Sequence, residues 1–249
     1  MTRPLSDEWV MAERIRQESR DAFILHGYPY RETSLLLEVF TRGFGRVSMV
    51  ARAARSPRSP LRGVLLAFQP LALSWFGKGE VRTLARAEWV GGQPLLRGEA
   101  LLCGFYLNEL LLRLLPREDP HDALFERYHE ALSRLARQDG STQALRSFER
   151  ALLKELGYAM TLDRAGAGGG AIDAGKTYTY DPESGPIEVK GAGPEPLVSG
   201  RTLLDMARDD YADPQTQQQA KALMRALINH RLEHRPLKSR QIFRDLLAL

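Results

Sequence analysis

Cysteine is almost absent from this 249-residue chain, which contains only Cys103. A single thiol excludes an intramolecular disulfide and a zinc site built from several cysteines. Long apolar runs are also absent: the most hydrophobic segment, residues 100–115, contains Asn108, Glu109 and Arg113 and is too polar to cross a membrane. The N-terminus lacks the apolar core and cleavage site of a signal peptide, so we expect a cytoplasmic protein.

Acidic residues are missing from one long stretch. Between Val39 and Gly79 there is no Asp or Glu, although the whole chain has 31 acidic and 35 basic residues and a net charge of +4. Seven basic residues lie in the same stretch: Arg42, Arg46, Arg52, Arg55, Arg58, Arg62 and Lys78. Such local charge favours a phosphate-rich partner or an anionic membrane, and a solvated loop is the simpler interpretation.

The N-terminal part of the chain alternates short apolar runs with turns. The runs are rich in leucine, β-branched and aromatic residues and lie at 22–27, 34–40, 46–52, 68–76 and 81–89. Since no long helix separates most of them, we expect an α+β protein in which a five-stranded barrel occupies residues 21–92. Residues 1–20 are polar, and we expect a flexible extension there.

Alternation places basic residues outside this barrel. Val47 and Met49 share one face of the third run, whereas Arg46 and Arg52 take the other. Five-stranded barrels of the OB (oligonucleotide-binding) type hold single-stranded nucleic acid on such a face. We therefore expect the seven basic residues, together with Arg82 of the fifth run, to contact nucleic acid.

Aromatic residues lie near this basic surface. Tyr28 and Tyr30 occupy one turn and Phe44 the next. Each could stack on an unpaired base, but packing against the barrel is the simpler interpretation and spacing does not distinguish the two.

After Trp89 the pattern becomes helical. Apolar residues recur at helical spacing before Pro116, across 122–137 and across 142–156, and a short helix closes the chain. Asp213 and Pro214 are typical of a helix start, and that helix should run to Pro236. We expect a helical domain over 93–249 with a loop-rich insert at about 163–199 that ends in a hairpin.

Two short motifs lack the context that their chemistry requires. Residues 170–177, GAIDAGKT, satisfy the phosphate-loop pattern, but no strand precedes them and no helix follows. Residues 230–234, HRLEH, match a zinc-peptidase pattern without an evident third ligand. We expect no cofactor and no metal, and a nucleotide-hydrolysing enzyme that uses Lys176 stays as an alternative.

A second basic cluster lies near the C-terminus, in a segment that contains one acidic residue, Glu233. It could extend a nucleic-acid track, bind an acidic protein tail, or be an ordinary solvated surface. Its members are Lys221, Arg225, Arg231, Arg235, Lys238, Arg240 and Arg244.

The order of these features resembles the bacterial recombination mediator family RecO. The likeness extends over roughly residues 21–247. The segments that carry it lie at 25–63, 105–120, 144–158 and 235–247.

The resemblance implies a nucleoid-associated protein that is not an enzyme. It implies binding of single- and double-stranded DNA, annealing of complementary strands and, with RecR, loading of RecA onto DNA coated with single-stranded-DNA-binding protein (SSB). The acidic C-terminal tail of SSB would dock on the helical domain, where Arg146 matches a basic position linked to that docking. Some members carry four zinc-binding cysteines in the region matching 159–180; this chain has none there, so zinc is not expected.

An RNA-binding or ribosome-associated OB protein is the main alternative. It would use the same arginines, because contacts to phosphate do not report the sugar.

Overall fold

The computed structural model describes residues 17–166, 169–191 and 193–247. The chain divides into two compact units, and the boundary along the sequence falls between His129 and Glu130. The predicted extension, residues 1–20, lies mostly outside the described residues, and its last four residues are already part of the first strand. The predicted domain limits, 21–92 and 93–249, stay predictions.

A closed barrel of five strands forms the body of the first unit. The strands follow the order β1-β2-β3-β5-β4 around the barrel, with β3 and β5 parallel and the other neighbours antiparallel. This arrangement confirms the predicted OB barrel. The strands are β1 (Gln17–Tyr30), β2 (Ser34–Thr41), β3 (Gly45–Ala51), β4 (Leu71–Phe76) and β5 (Val81–Trp89), with a short helix α1 (Leu61–Val64) before β4.

Two further helices pack on the outside of β1. They are α2 (Gly98–Leu114) and α3 (Asp122–Arg137), and the second begins and ends where the sequence pattern predicts. Asn108 of α2 donates to the Leu25 carbonyl at 2.8 Å and accepts a hydrogen bond from the Tyr128 hydroxyl. Burial raises the pKa of that hydroxyl, so it stays protonated and keeps donating.

The middle of β1, residues 22–25, is therefore buried on both faces. Ala22 and Ile24 point into the barrel, whereas the Phe23 ring lies outside it, 5.5 Å from the Phe125 ring and 5.2 Å from the Tyr128 ring. A strand buried on both faces reads as a continuous apolar run, which explains why the sequence AFIL lacks alternation.

The connection between α2 and α3 lies along β3. Arg46 and Arg117 form an isolated parallel bridge, and the Glu118 amide donates to the Arg46 carbonyl at 3.0 Å. The approach is closest at Gly45, where an added Cβ would lie 1.9 Å from the Asp119 carbonyl oxygen.

Helices and a small sheet form the second unit. The predicted hairpin is confirmed as β8 and β9, and β10 pairs with β8 to complete a three-stranded sheet. Leu153, Tyr178, Val198, Leu203 and Leu223 belong to the core beneath it. The elements are α4 (Ser141–Glu155), β6 (Arg164–Ala165), β7 (Gly170–Ala171), β8 (Thr177–Asp181), β9 (Gly185–Glu188), β10 (Val198–Ser199), α5 (Gly200–Ala207), α6 (Pro214–Arg231) and α7 (Lys238–Leu247).

The helix limits of this unit differ from the sequence pattern in two places. α6 starts as predicted, with the Asp213 side chain accepting from the Thr216 amide at 2.8 Å, but it ends at Arg231 and not at Pro236. Glu233 and His234 adopt left-handed backbone angles, which end the helix before the proline is reached. The short helix α5 was not predicted, although its N-cap, a serine, precedes it in the sequence.

We expect Gly45→Ala to lower the free energy of unfolding by about 2–4 kcal/mol, because it combines a left-handed backbone with a clash against the Asp119 carbonyl. Gly43→Ala is the matched control: its φ is +77° but nothing lies within 4 Å of an added Cβ, so the loss should be about 1 kcal/mol. Urea unfolding followed by tryptophan fluorescence reports the first unit, since Trp9, Trp75 and Trp89 all precede residue 90. Equal losses in the two variants would show that the contact at Asp119 is unimportant.

Candidate nucleic-acid interface

Residues 52–62, named the basic loop below, comprise the connection from β3 to α1 and the first two residues of α1, and backbone hydrogen bonds hold them in place. The Arg55 amide donates to the Thr33 carbonyl at 2.7 Å, and two successive turns follow it. Ala54 is buried in the barrel core, and Leu61 packs against the same cluster. The loop is therefore an ordered element with apolar side chains directed inward.

The arginines of the basic loop are directed outward. All four are exposed, and no carboxylate of a described residue forms an ion pair with any of them. Lys78, in the turn between β4 and β5, is exposed in the same way. The loop arginines are Arg52, Arg55, Arg58 and Arg62.

A cleft of about 390 Å³ opens beside the basic loop. Leu35, Leu61 and Leu65 supply apolar lining, and Arg55 and Arg62 supply its positive charge. The cleft thus places apolar surface directly beside guanidinium groups that have no acidic partner among the described residues.

The other three predicted arginines all have acidic partners. Arg42 pairs with Asp21 at 3.1 Å and with Glu126, and its guanidinium lies 5.0 Å from the centre of the Phe125 ring. Arg82 pairs with Glu118 at 2.7 Å.

The Arg82 hydrogen bond lowers the pKa of the Glu118 carboxyl, which keeps it ionised at neutral pH. Arg42 and Arg82 therefore each have an acidic partner within the first unit.

Arg46 belongs to a more buried network. It donates to the Glu38 carboxylate at 3.1 Å, and Arg117 donates to the same carboxylate at 2.7 Å and to the Ser48 hydroxyl at 2.7 Å. The Arg46 and Glu38 side chains are only 14% and 6% exposed. Burial, the largest influence, lowers the pKa of the Arg46 guanidinium although Glu38 opposes the change.

Arg117 was missed in the sequence because it lies in a helix connection that is remote from the barrel strands along the chain, although it contacts β3 in the fold. The available signal was Glu38, an isolated charge in the apolar run SLLLEVF, which a buried strand tolerates only with a partner.

The three aromatic residues differ in their surroundings. The Phe44 ring packs edge-on against Trp75 with a centroid distance of 5.3 Å, so this ring packs against the barrel, which was the simpler of the two interpretations. Tyr30 is half-buried, with the Arg31 guanidinium 5.2 Å from its ring. Tyr28 is 45% exposed.

Arg146 is not at the exposed position that SSB docking would favour. It is 7% exposed and donates to the Glu149 carboxylate at 2.8 Å, one turn along α4. The side chain is buried because α4 buries a second stripe, which includes Arg146 and Glu149, in addition to the one that contains Phe148 and Leu152. The role of Arg146 in SSB docking stays a prediction.

The phosphate-loop motif lies in a sheet context. Its lysine, Lys176, pairs with Glu188 at 2.9 Å, which raises the pKa of the Lys176 amine. β8 begins at the next residue, so no helix N-terminus follows the motif, and the Asp173 carboxylate accepts from the Gly175 amide where a phosphate would have to lie. The motif thus lacks the geometry of a nucleotide cradle.

The two histidines of HRLEH do not share one helix, because α6 ends between His230 and His234. Within the described residues no group of three or more His, Cys, Asp or Glu side chains could hold a metal ion. Nor does any described helix combine the length and hydropathy that a membrane span needs.

The second basic cluster is only partly free. Arg231 lies 3.3 Å from the centre of the Tyr158 ring, and Arg235 pairs with Glu233 at 3.0 Å. Lys221 and Arg225 are exposed and line a shallow groove of about 370 Å³ on α6. Arg240 donates to Asn229 at 2.9 Å, Lys238 is exposed, and the Arg244 side chain lies outside the described residues.

Comparison with known proteins agrees with the architecture. Residues 15–93 match the family model described as "Recombination protein O N terminal", and residues 95–241 match "Recombination protein O C terminal". A protein from Aromatoleum aromaticum named "DNA repair protein RecO" is 53% identical over 240 residues, which cover 96% of this chain and all of the relative.

Proteins of the same name from two other bacteria are similar to this chain at comparable levels. The one from Dechloromonas aromatica is 51% identical, with 95% of this chain and 99% of the relative covered. The one from Burkholderia pseudomallei is 52% identical, with 98% and 86% covered. With both halves matched in order and identity above 50% over nearly the whole length, the chain belongs to the RecO family of DNA repair proteins.

Proposed function

We propose that this protein is a recombination mediator that binds single- and double-stranded DNA through the basic loop and anneals complementary strands. The observation that carries the proposal is the contrast between two sets of arginines on one barrel. Arg42, Arg46 and Arg82 are paired with acids, whereas the four arginines of the basic loop are exposed without one among the described residues.

The chemistry of annealing suits this arrangement. Arginines that neutralise phosphates release counterions, which gives affinity independent of sequence. Two complementary strands repel each other through their phosphates, and an ordered cationic surface screens that repulsion while bases stay free to pair. No step of this process makes or breaks a covalent bond, so we infer that the protein is not an enzyme.

Membership of the RecO family supports the proposed partners: SSB, RecR and, through them, RecA. We place the acidic SSB tail on the second unit. Because Arg146 is held by Glu149, the exposed Lys221 and Arg225 beside the α6 groove are the better candidates to meet the carboxylates of the tail. The match to the RecO family favours a recombination mediator that binds DNA over an RNA-binding or ribosome-associated OB protein.

The charge proposal predicts a change in salt dependence. Replacing Arg52, Arg55 and Arg58 together by Ala should weaken binding uniformly across sequences and lower the slope of log affinity against log salt by up to about 2 for single strands, since each phosphate contact contributes about 0.7. Fluorescence anisotropy of labelled oligonucleotides over a salt series measures both quantities. Arg86→Ala is the control, because Arg86 is exposed but already pairs with Glu88. An unchanged slope in a folded triple variant would contradict the proposal.

The buried Arg146–Glu149 pair in α4 predicts that Arg146 contributes mainly to the stability of the fold. Arg146→Met should lower the free energy of unfolding by about 3–5 kcal/mol, because the buried Glu149 carboxylate loses the charged hydrogen bond from Arg146. Adding Glu149→Leu should recover most of the loss. Urea unfolding followed by circular dichroism checks this, and a stable single variant would show that the pair contributes little.

Peptide binding by two double variants tests where the SSB tail docks. Lys221→Glu with Arg225→Glu should abolish binding of a fluorescent SSB tail peptide, whereas the Arg146→Met Glu149→Leu variant should keep it. The reverse pattern would restore Arg146 as the docking residue.

The nucleotide alternative predicts an effect that we do not expect. Lys176→Ala should leave annealing unaltered, and magnesium-ATP should not shift the melting temperature of the wild type. A nucleotide bound only by the native state at 100 times its dissociation constant would stabilise the protein by about 2.7 kcal/mol. Stabilisation by magnesium-ATP that is lost in Lys176→Ala would establish a nucleotide site.

A further inference from the structure

The outer face of β1, β2 and β3 carries side chains in register. Residues paired across neighbouring strands point to the same side of a sheet, so each row of pairs presents one group of neighbours. Three rows follow one another toward the basic loop: His26, Glu38 and Ser48; Tyr28, Leu36 and Val50; Tyr30 and Ser34.

Tyr28 lies in the middle row, and its side chain is accessible to solvent. It is 45% exposed, whereas its row neighbours Leu36 and Val50 are partly buried. The His26 ring contacts it in a T-shaped arrangement with a centroid distance of 4.3 Å. A T-shaped neighbour limits how far the Tyr28 ring can rotate, so an exposed aromatic surface is already oriented in the absence of a ligand.

Positive charge lies at both ends of this face. Arg46 and Arg117 flank the first row, where they donate to Glu38 and Ser48. Arg52 follows β3 at the other end, six residues beyond Arg46 and therefore about 20 Å away along an extended strand. The acid of this face, Glu38, is engaged by both arginines of the first row.

We propose that Tyr28 is a stacking platform for an unpaired base of single-stranded DNA whose phosphates continue onto the basic loop. Unpaired bases expose the π-faces that an aromatic ring can stack on, and stacking tolerates any sequence. Duplex DNA keeps its bases stacked internally, so Tyr28 distinguishes single strands from duplexes whereas the loop arginines bind both. The inference rests on the proposed DNA binding and adds to it the group that recognises a base.

The surroundings of the face favour DNA over a protein partner. Tyr28 lies in register with Val50, two residues before Arg52 of the basic loop, whose arginines lack acidic partners among the described residues. An aromatic ring followed by arginines matches a chain that alternates flat apolar bases with phosphates. Phe44 and Tyr30 do not offer the same surface, since the Phe44 ring packs on Trp75 and Tyr30 is half-buried.

The test compares two oligonucleotides of equal length, oligothymidylate and a backbone of abasic deoxyribose phosphates. Both carry the same charges, and only the first has bases to stack. Tyr28→Ala should bind oligothymidylate about fivefold or more weakly, as expected for one lost stacking contact, and should bind the abasic strand and a duplex as the wild type does. Tyr28→Phe, which keeps the ring, should retain wild-type affinity for all three.

The outcomes separate this inference from the proposed function. If Tyr28→Ala, with an unchanged melting temperature, binds oligothymidylate as tightly as the wild type, or loses equal affinity for the abasic strand, Tyr28 does not stack on a base. The basic-loop triple variant reports independently, because it should lose affinity for all three ligands. A triple variant that binds normally while Tyr28→Ala fails on oligothymidylate would overturn the charge proposal and leave the stacking site standing.

Discussion

The hydrogen bonds to the buried Glu38 carboxylate are the interaction on which the packing of the first unit depends. A charge that is 6% exposed in its side chain must be compensated, and here Arg46, Arg117 and Ser48 all bond to it. Removing one partner of such a buried pair typically costs 3–5 kcal/mol. Because Arg117 belongs to the connection between α2 and α3, the network also holds that connection against β3. The backbones approach so closely at position 45 that a side chain larger than that of glycine would clash with the Asp119 carbonyl.

This constraint divides the positive charge of the barrel. The stretch from Val39 to Gly79 is free of acids in sequence but not in space, since folding brings acids from outside the stretch to some of its arginines. Charge without an acidic partner among the described residues is left on the basic loop and at Lys78. The acids that pair with Arg42, Arg46 and Arg82 are Asp21, Glu38, Glu118 and Glu126.

Local patterns in the sequence predicted the elements well. Short apolar runs between turns located the strands, helical spacing gave α3 its limits, and Asp213 with Pro214 marked the start of α6, because each signal depends on neighbours along the chain. The end of α6 was missed, since left-handed angles at Glu233 and His234 are a stronger stop there than the proline.

The sites were harder to predict because their partners are remote. Arg117 and Glu38 are 79 residues apart, and no local pattern connects them. Arg146 lies on a helix whose apolar stripe predicts one buried face, whereas the fold buries a second face that includes Glu149. For the same reason the exposed ring of Tyr28 could not be told from the packed ring of Phe44 before their neighbours were known.

The central claim is that one barrel contains two classes of arginine, one holding the fold and one holding DNA. Arginine-specific modification with phenylglyoxal, mapped by mass spectrometry with and without single-stranded DNA, tests it directly. Arg52, Arg55, Arg58 and Arg62 should react in the free protein and be protected by DNA, whereas Arg42, Arg46 and Arg82 should react slowly in both states. Protection by DNA confined to Arg42, Arg46 and Arg82, with the loop arginines equally reactive in both states, would contradict the account.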